Sequence, residues 1–388
     1  MRNPMPSEKS YPFRVFVSYS HEDKKLASKV VAVLRKMGMV PIWDEHITPG
    51  APFSDAIKGL IAHSHVFLPL ITETSMNRPW VHQETGYAMA LDIPVLPVAV
   101  GKLPDQMIAQ LEAVQVTPGL RDLQSRLNEV DFEEVVFPGP PRPRSSTEVA
   151  DHPEDRARML AASANRVMQY GVCGHLRQRA AYSSLCIPDQ DLTDLIWDCR
   201  EGTRKQGAFH RHYMREERVA LERHARAKGC SLVMDPTFPL SQREPNTTRA
   251  HLSVLLEFLE SMPDRACKVA ITSKALQGNI TIVGDWFVAD SVAARRRVGY
   301  RQTVFHWHAP TVLQRVREFD REFDGYLRQQ GCRPTASRRA AISRIAQILT
   351  ELGPCKRRPK LARELQGACC RIDGRLFGKR ARTRRRAG

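Results

Sequence analysis

Four apolar runs of strand length recur between residues 14 and 100: RVFVS (14–18), MVPIW (39–43), HVFLPLI (65–71) and IPVLPVAV (93–100). Helix-patterned segments separate them. Runs apolar on both faces suit strands covered on both sides, and alternation with helices makes such strands parallel. No other feature constrains the chain so tightly. It predicts an α/β unit over residues 1–136, closed by a weaker strand near AVQVT and a helix over LRDLQSRLNEV. Right-handed crossovers leave few arrangements, and five parallel strands fit the flavodoxin-like order.

Within that unit Leu26, Val30, Val33, Leu34 and Met37 fall at helical spacing, and Gly38 supplies the stop. Ser20 and Asp23, three apart, read as a capping-box variant at the helix start. In sheets of this kind ligands bind beyond the carboxyl ends of the strands. The rule gathers SYS (18–20), WDEH (43–46) and the segment from Thr72 into WVHQE (80–84). In WVHQE, Trp80 and Glu84 share one helix face. Two readings of Glu84 stand side by side: an acid placed at a helix start to suit the dipole, or a carboxylate with a chemical task. Ser18, Tyr19 and Ser20 read as a turn and N-cap, with Tyr19 kept as a ligand contact. Trp43 and Asp44 either shape their loop or touch a ligand. His21, His46 and His82 read as surface residues. SYSHED follows the first strand where a redox dinucleotide fold would carry GxGxxG, and no GxxxxGK[ST] occurs.

VFVSYSHED, VPIWDEHITPG and HVFLPLITETS…WVHQE stand in the order and at the intervals of the TIR family, and residues 1–136 resemble a TIR domain. The resemblance implies cleavage of the nicotinamide–ribose bond of NAD⁺, with NAD⁺ as substrate and no cofactor or metal. By motif, Glu84 is the implied catalytic carboxylate; Ser18, Tyr19, Ser20, Trp43, Asp44 and Trp80, gathered at the same sheet edge, are the candidate substrate-binding residues. It also implies homotypic TIR–TIR association, as in bacterial immune effectors. A non-enzymatic adaptor using the same fold is the alternative.

Residues 137–155, FPGPPRPRSSTEVADHPED, read as a Pro-rich linker to a second mixed α/β region over 156–353. Helical patterns are expected in RARMLAASANRVMQY, EERVALERHARAKG, TRAHLSVLLEFLESMPD and APTVLQRVREFDREFDGYLRQQG. Strands are expected at CSLVMD, CKVAITS, NITIVGDWFVADS and GYRQTVFHW. The strand hairpin bears a faint resemblance to degenerate phospholipase D-like sensor domains. No HxKxxxxD is present, so a non-catalytic sensor or assembly module, meeting an unknown activating ligand or protein, is expected. HRHYMREER (210–218) reads as a solvated helix face.

The net charge of +17 is uneven. Residues 1–136 hold 13 Lys/Arg against 16 Asp/Glu, a balance of −3, whereas residues 355–388 hold 13 against 2, a balance of +11. This basic tail, 354–388, suits nucleic acid or another polyanion. All nine cysteines lie beyond residue 172 with no CxxC pair, so free thiols are expected. No apolar run reaches membrane-spanning length, and no signal-peptide core precedes Pro12. The expected location is cytoplasmic.

Overall fold

A computed structural model describes residues 12–43, 53–76, 78–101, 113–137, 147–180, 183–186, 204–235, 245–272, 276, 278–293 and 300–352. The chain divides into two compact units, Met1–Thr147 with His306–Gln314, and Glu148–Phe305 with Arg315–Gly388.

The first unit runs β1 (Arg14–Ser18), α1 (Lys24–Lys36), β2 (Val40–Ile42), α2 (Phe53–Ala62), β3 (Val66–Ile71), α3 (Glu73–Met76) and α4 (Pro79–Ala90). It continues through β4 (Val98–Val100), β5 (Val114–Val116), α5 (Leu123–Asn128) and α6 (Phe132–Val136). Its five strands lie in the order β2-β1-β3-β4-β5, all parallel, as expected for the flavodoxin-like arrangement. Strand alternation explains the burial on both faces. Val15, Val17, Val66, Leu68 and Leu70 face a core completed by α1, α5 and α6, which Leu313 joins. Phe16 and Phe67 point the other way, stacked with centroids 5.7 Å apart, under α2 and α4. Burying each such side chain contributes roughly 1.5–3 kcal/mol, so both sheet faces are strongly held.

Several local expectations need correction. Ser20 makes no side-chain cap bond, and Asp23 does not cap α1 through its carboxylate. The fourth strand shrinks to Val98–Val100, preceded by a lone bridge at Val95, because Pro94 and Pro97 lack donors for a continuous ladder. The segment read as linker already contains β6 (Thr147–Ala150) and the start of α7 (Pro153–Gln169). TEVA takes the edge position, where one side of its ladder is enough. The helix end at Gly38 is as expected, with φ +77° just past α1.

The second unit continues with β7 (Leu176–Ala180), α8 (Arg204–Lys228), β8 (Cys230–Met234), α9 (Pro245–Ser261) and β9 (Cys267–Ile271). It ends with β10 (Asn279–Val283), β11 (Phe287–Ala293), β12 (Tyr300–His306), the part of α10 (Ala309–Gln329) from Arg315 on, whose earlier residues belong to the first unit, and α11 (Ser337–Glu351). Seven strands form one mixed sheet, β6-β12-β11-β10-β7-β8-β9, in which β7, β8 and β9 are parallel and β10 is antiparallel to β7. One face carries a buried polar network. Arg156 bonds both carboxylate oxygens of Glu217 at 3.0 Å, Ser184 donates to Glu217, and Gln178 donates to Ser184 and Thr281. HRHYMREER lies within α8 and is only partly the solvated face expected: His212 pairs with Glu216 in solvent, whereas Glu217 turns inward to the buried network, because Arg156 and Ser184 answer its carboxylate. Among the described residues no helix is long and apolar enough to cross a membrane. The basic tail lies outside them.

Candidate functional site

β1 and β3 are hydrogen-bonded neighbours, and Ser18, the last residue of β1, stands in register with Pro69. Their carboxyl ends therefore open at one edge, where α4 begins. Pro79 at the first helical turn fixes the start of α4, so Glu84 is the sixth helical residue and lies beyond the first turn. The first turn holds no acid. Helix-start electrostatics fade within that turn, so capping does not account for this carboxylate.

Glu84 is only 6% exposed. Ser18 Oγ donates to its Oε2 at 2.5 Å. The indole of Trp80, one turn earlier on the same face, hydrogen-bonds the same carboxyl group. Burial pushes the Glu84 pKa up to about 7, and the two donors act against that rise. Trp80 is half-buried and packs on the cluster containing Phe16, Phe67 and Ala88. Its ring thus both walls the carboxylate and ties α4 to the sheet.

Tyr19 and Trp43, from the ends of β1 and β2, are buried with ring centroids 6.1 Å apart. The Lys24 ammonium lies 5.9 Å from the Trp43 ring centroid, and His21 stands edge-on to Tyr19 at 6.5 Å. Ser20 is buried beside them in sequence. The sequence-predicted residues Ser18, Trp80 and Glu84 are in direct contact, and Tyr19 and Trp43 form a second pair. Asp44, His46 and the rest of the loop 44–52 lie outside the described residues. His82 Nε2 lies 3.2 Å from the Met76 carbonyl, a contact that ties α4 to α3.

Sequence reasoning missed a further link. Asp23 is buried, and its Oδ2 accepts a 2.6 Å hydrogen bond from Thr72 Oγ1. Thr72 and Ser75 exchange reciprocal bonds: Thr72 N–H donates to Ser75 Oγ at 2.7 Å, and Ser75 N–H donates to Thr72 Oγ1 at 3.0 Å. The reciprocal cap expected at Ser20 is thus found at the start of α3. One residue earlier in the chain, Glu22 pairs with Arg78, the N-cap of α4, in an exposed ion pair. Two acids of SYSHED therefore fasten the connection that presents Trp80 and Glu84. The signal was the same Asp23 that reads locally as a cap.

No curated protein matches the chain. Residues 15–130 match the family model described as TIR domain, the stretch that holds the five-stranded parallel sheet and the Ser18–Glu84–Trp80 cluster. The segment from Val15 to Val130 is a TIR domain.

Proposed function

We propose that this TIR domain is an NAD⁺ nucleosidase with Glu84 as its catalytic carboxylate. The observation that carries the reading is a buried carboxyl group held by Ser18 and Trp80 at the carboxyl edge of a parallel sheet. In the proposed reaction the ribose C1′–N1 bond breaks and its electron pair returns to the nicotinamide ring nitrogen, neutralising the pyridinium. The cationic ring needs no general acid. The ribose carbon becomes oxocarbenium-like, and an ionised Glu84 stabilises that charge or holds the ribose hydroxyls. Water then adds at C1′ and loses a proton, giving ADP-ribose; internal capture at the adenine would give a cyclic isomer.

Ser18 and Trp80 both donate to Glu84, so their role in this scheme is to favour its anion and fix its aim. Tyr19, Ser20, Trp43 and Asp44 remain candidates for substrate contact. Within a bacterial immune effector, the second unit would meet the activating signal and TIR–TIR association would complete the site. Such control requires the signal to bind the active arrangement more tightly than the idle one.

Incubating the full chain with NAD⁺ over a range of protein concentrations tests this reading. Nicotinamide release that rises faster than linearly with protein supports an assembly-controlled enzyme. NAD⁺ left intact at every concentration favours the adaptor.

A further inference from the structure

Helix α9 is enclosed on nearly every side: from Thr248 to Leu259 only Glu257 is exposed. Its first turns are nonetheless polar. Thr248 is fully buried, Arg249 is 7% exposed and Ser253 is 8% exposed. Among the described residues, Thr248 Oγ1, Arg249 Nη2 and Ser253 Oγ are each enclosed without a hydrogen-bond partner, and no carboxylate forms an ion pair with Arg249. His251 is different, since its Nδ1 lies 3.0 Å from the Cys186 carbonyl.

Helical hydroxyls in this chain ordinarily bond back one turn. Ser28, Thr85 and Thr350 all donate to the carbonyl four residues earlier, at 2.7–2.8 Å. Ser253 has the Arg249 carbonyl in that position and does not use it. A buried charge without an answering group is costly. Such a group in a native protein calls for an explanation, and an anion is the ligand that a guanidinium and two hydroxyls share.

Position in the fold points the same way. β8 and β9 are parallel, and α9 connects them, so the amino end of α9 lies at the carboxyl edge of β7, β8 and β9. Ligands of parallel sheets bind at that edge. Arg249 and Ser253, four apart, are neighbours on the helix surface, and helical side chains lean toward the amino end. Both therefore add to the free N–H groups and positive dipole of the first turn.

We propose that the first turns of α9 bind the terminal phosphate group of a small phosphorylated molecule, with Arg249 as its principal cation and Thr248 and Ser253 as hydroxyl donors. Burial of the guanidinium favours a small terminal phosphate over an extended nucleic-acid backbone. The inference is independent of the reading of Glu84.

The test is thermal unfolding of the full chain in buffer free of phosphate and sulfate. Inorganic phosphate or ADP is then added, each against sodium chloride at equal ionic strength. Wild type is expected to gain a saturable rise in unfolding temperature with one or both probes. Arg249→Met should raise the half-saturating concentration at least tenfold, and Ser253→Ala should raise it less. Without added anion, Arg249→Met should unfold at or above the wild-type temperature, because it removes an unanswered buried charge. A larger effect of ADP at equal concentration would show that the nucleoside also contributes; equal effects would show that the phosphate suffices. Three results would overturn the proposal: no shift with either probe, equal shifts in wild type and Arg249→Met, or a lower unfolding temperature for Arg249→Met in anion-free buffer.

Discussion

A glutamate that holds its proton to about pH 7 makes Glu84 unstable cargo at neutral pH. An ordinary glutamate releases its proton near 4.5. Between these values the folded chain binds more protons than the unfolded one, so stability falls as pH rises through the window. The contribution is complete below 4.5 and lost above about 7. Glu84→Gln should therefore stabilise the domain at pH 8, by about 3 kcal/mol at most, and give no gain at pH 4.5. Urea unfolding at the two pH values checks this, and an equal difference at both would contradict it. Ser18→Ala removes a donor that pulls the Glu84 pKa down, so Glu84 should titrate higher and the acid limb of nicotinamide release should move up in pH. A carboxyl resonance followed through a pH titration reads the same shift without relying on turnover. At this scale the shared face of Trp80 and Glu84 was legible, because two residues four apart in a helix are neighbours on its surface. Asp23 was not: its partner Thr72 lies 49 residues away, and local spacing offered only a cap.

The elements that carry the site are fastened by identifiable polar links. Thr72→Val leaves the buried Asp23 carboxylate without its hydroxyl donor and should destabilise the domain by roughly 1–3 kcal/mol, the cost of an unmet buried acceptor. It should also lower kcat more than it raises KM, since α3 and α4 present Glu84 without forming the whole substrate surface. Glu22→Gln breaks an exposed ion pair with Arg78 and should cost well under about 1 kcal/mol. Similar losses from the two variants in chemical denaturation would contradict the assignment of Asp23–Thr72 as the principal link. Strands buried on both faces, β1 and β3, announced themselves in sequence. β7 did not: LRQRA alternates with arginines that pair with Asp320 and Glu322, 143 residues away. α3 is four residues long and depends on the Thr72–Ser75 exchange, so no periodicity could mark it. TEVA was absorbed into a Pro-rich stretch because an edge strand of four residues has little pattern of its own.

On the scale of the whole molecule, the two units rest on different interiors. The TIR core is apolar on both sheet faces, whereas one face of the second sheet is organised by Arg156 and Glu217. Arg156→Ala leaves Glu217 buried without its cation and should cost about 3–5 kcal/mol, read as a lower midpoint in chemical denaturation. The charge imbalance was legible from sequence alone. Deleting residues 355–388 removes 13 basic against 2 acidic side chains and should weaken heparin binding and flatten its salt dependence. The division of labour proposed for the molecule rests on its TIR domain being an enzyme. Nicotinamide release from NAD⁺ by concentrated full-length protein, beside Glu84→Ala, tests that claim most directly. The account predicts release by the wild type and its loss in the variant; release undiminished by Glu84→Ala would contradict it.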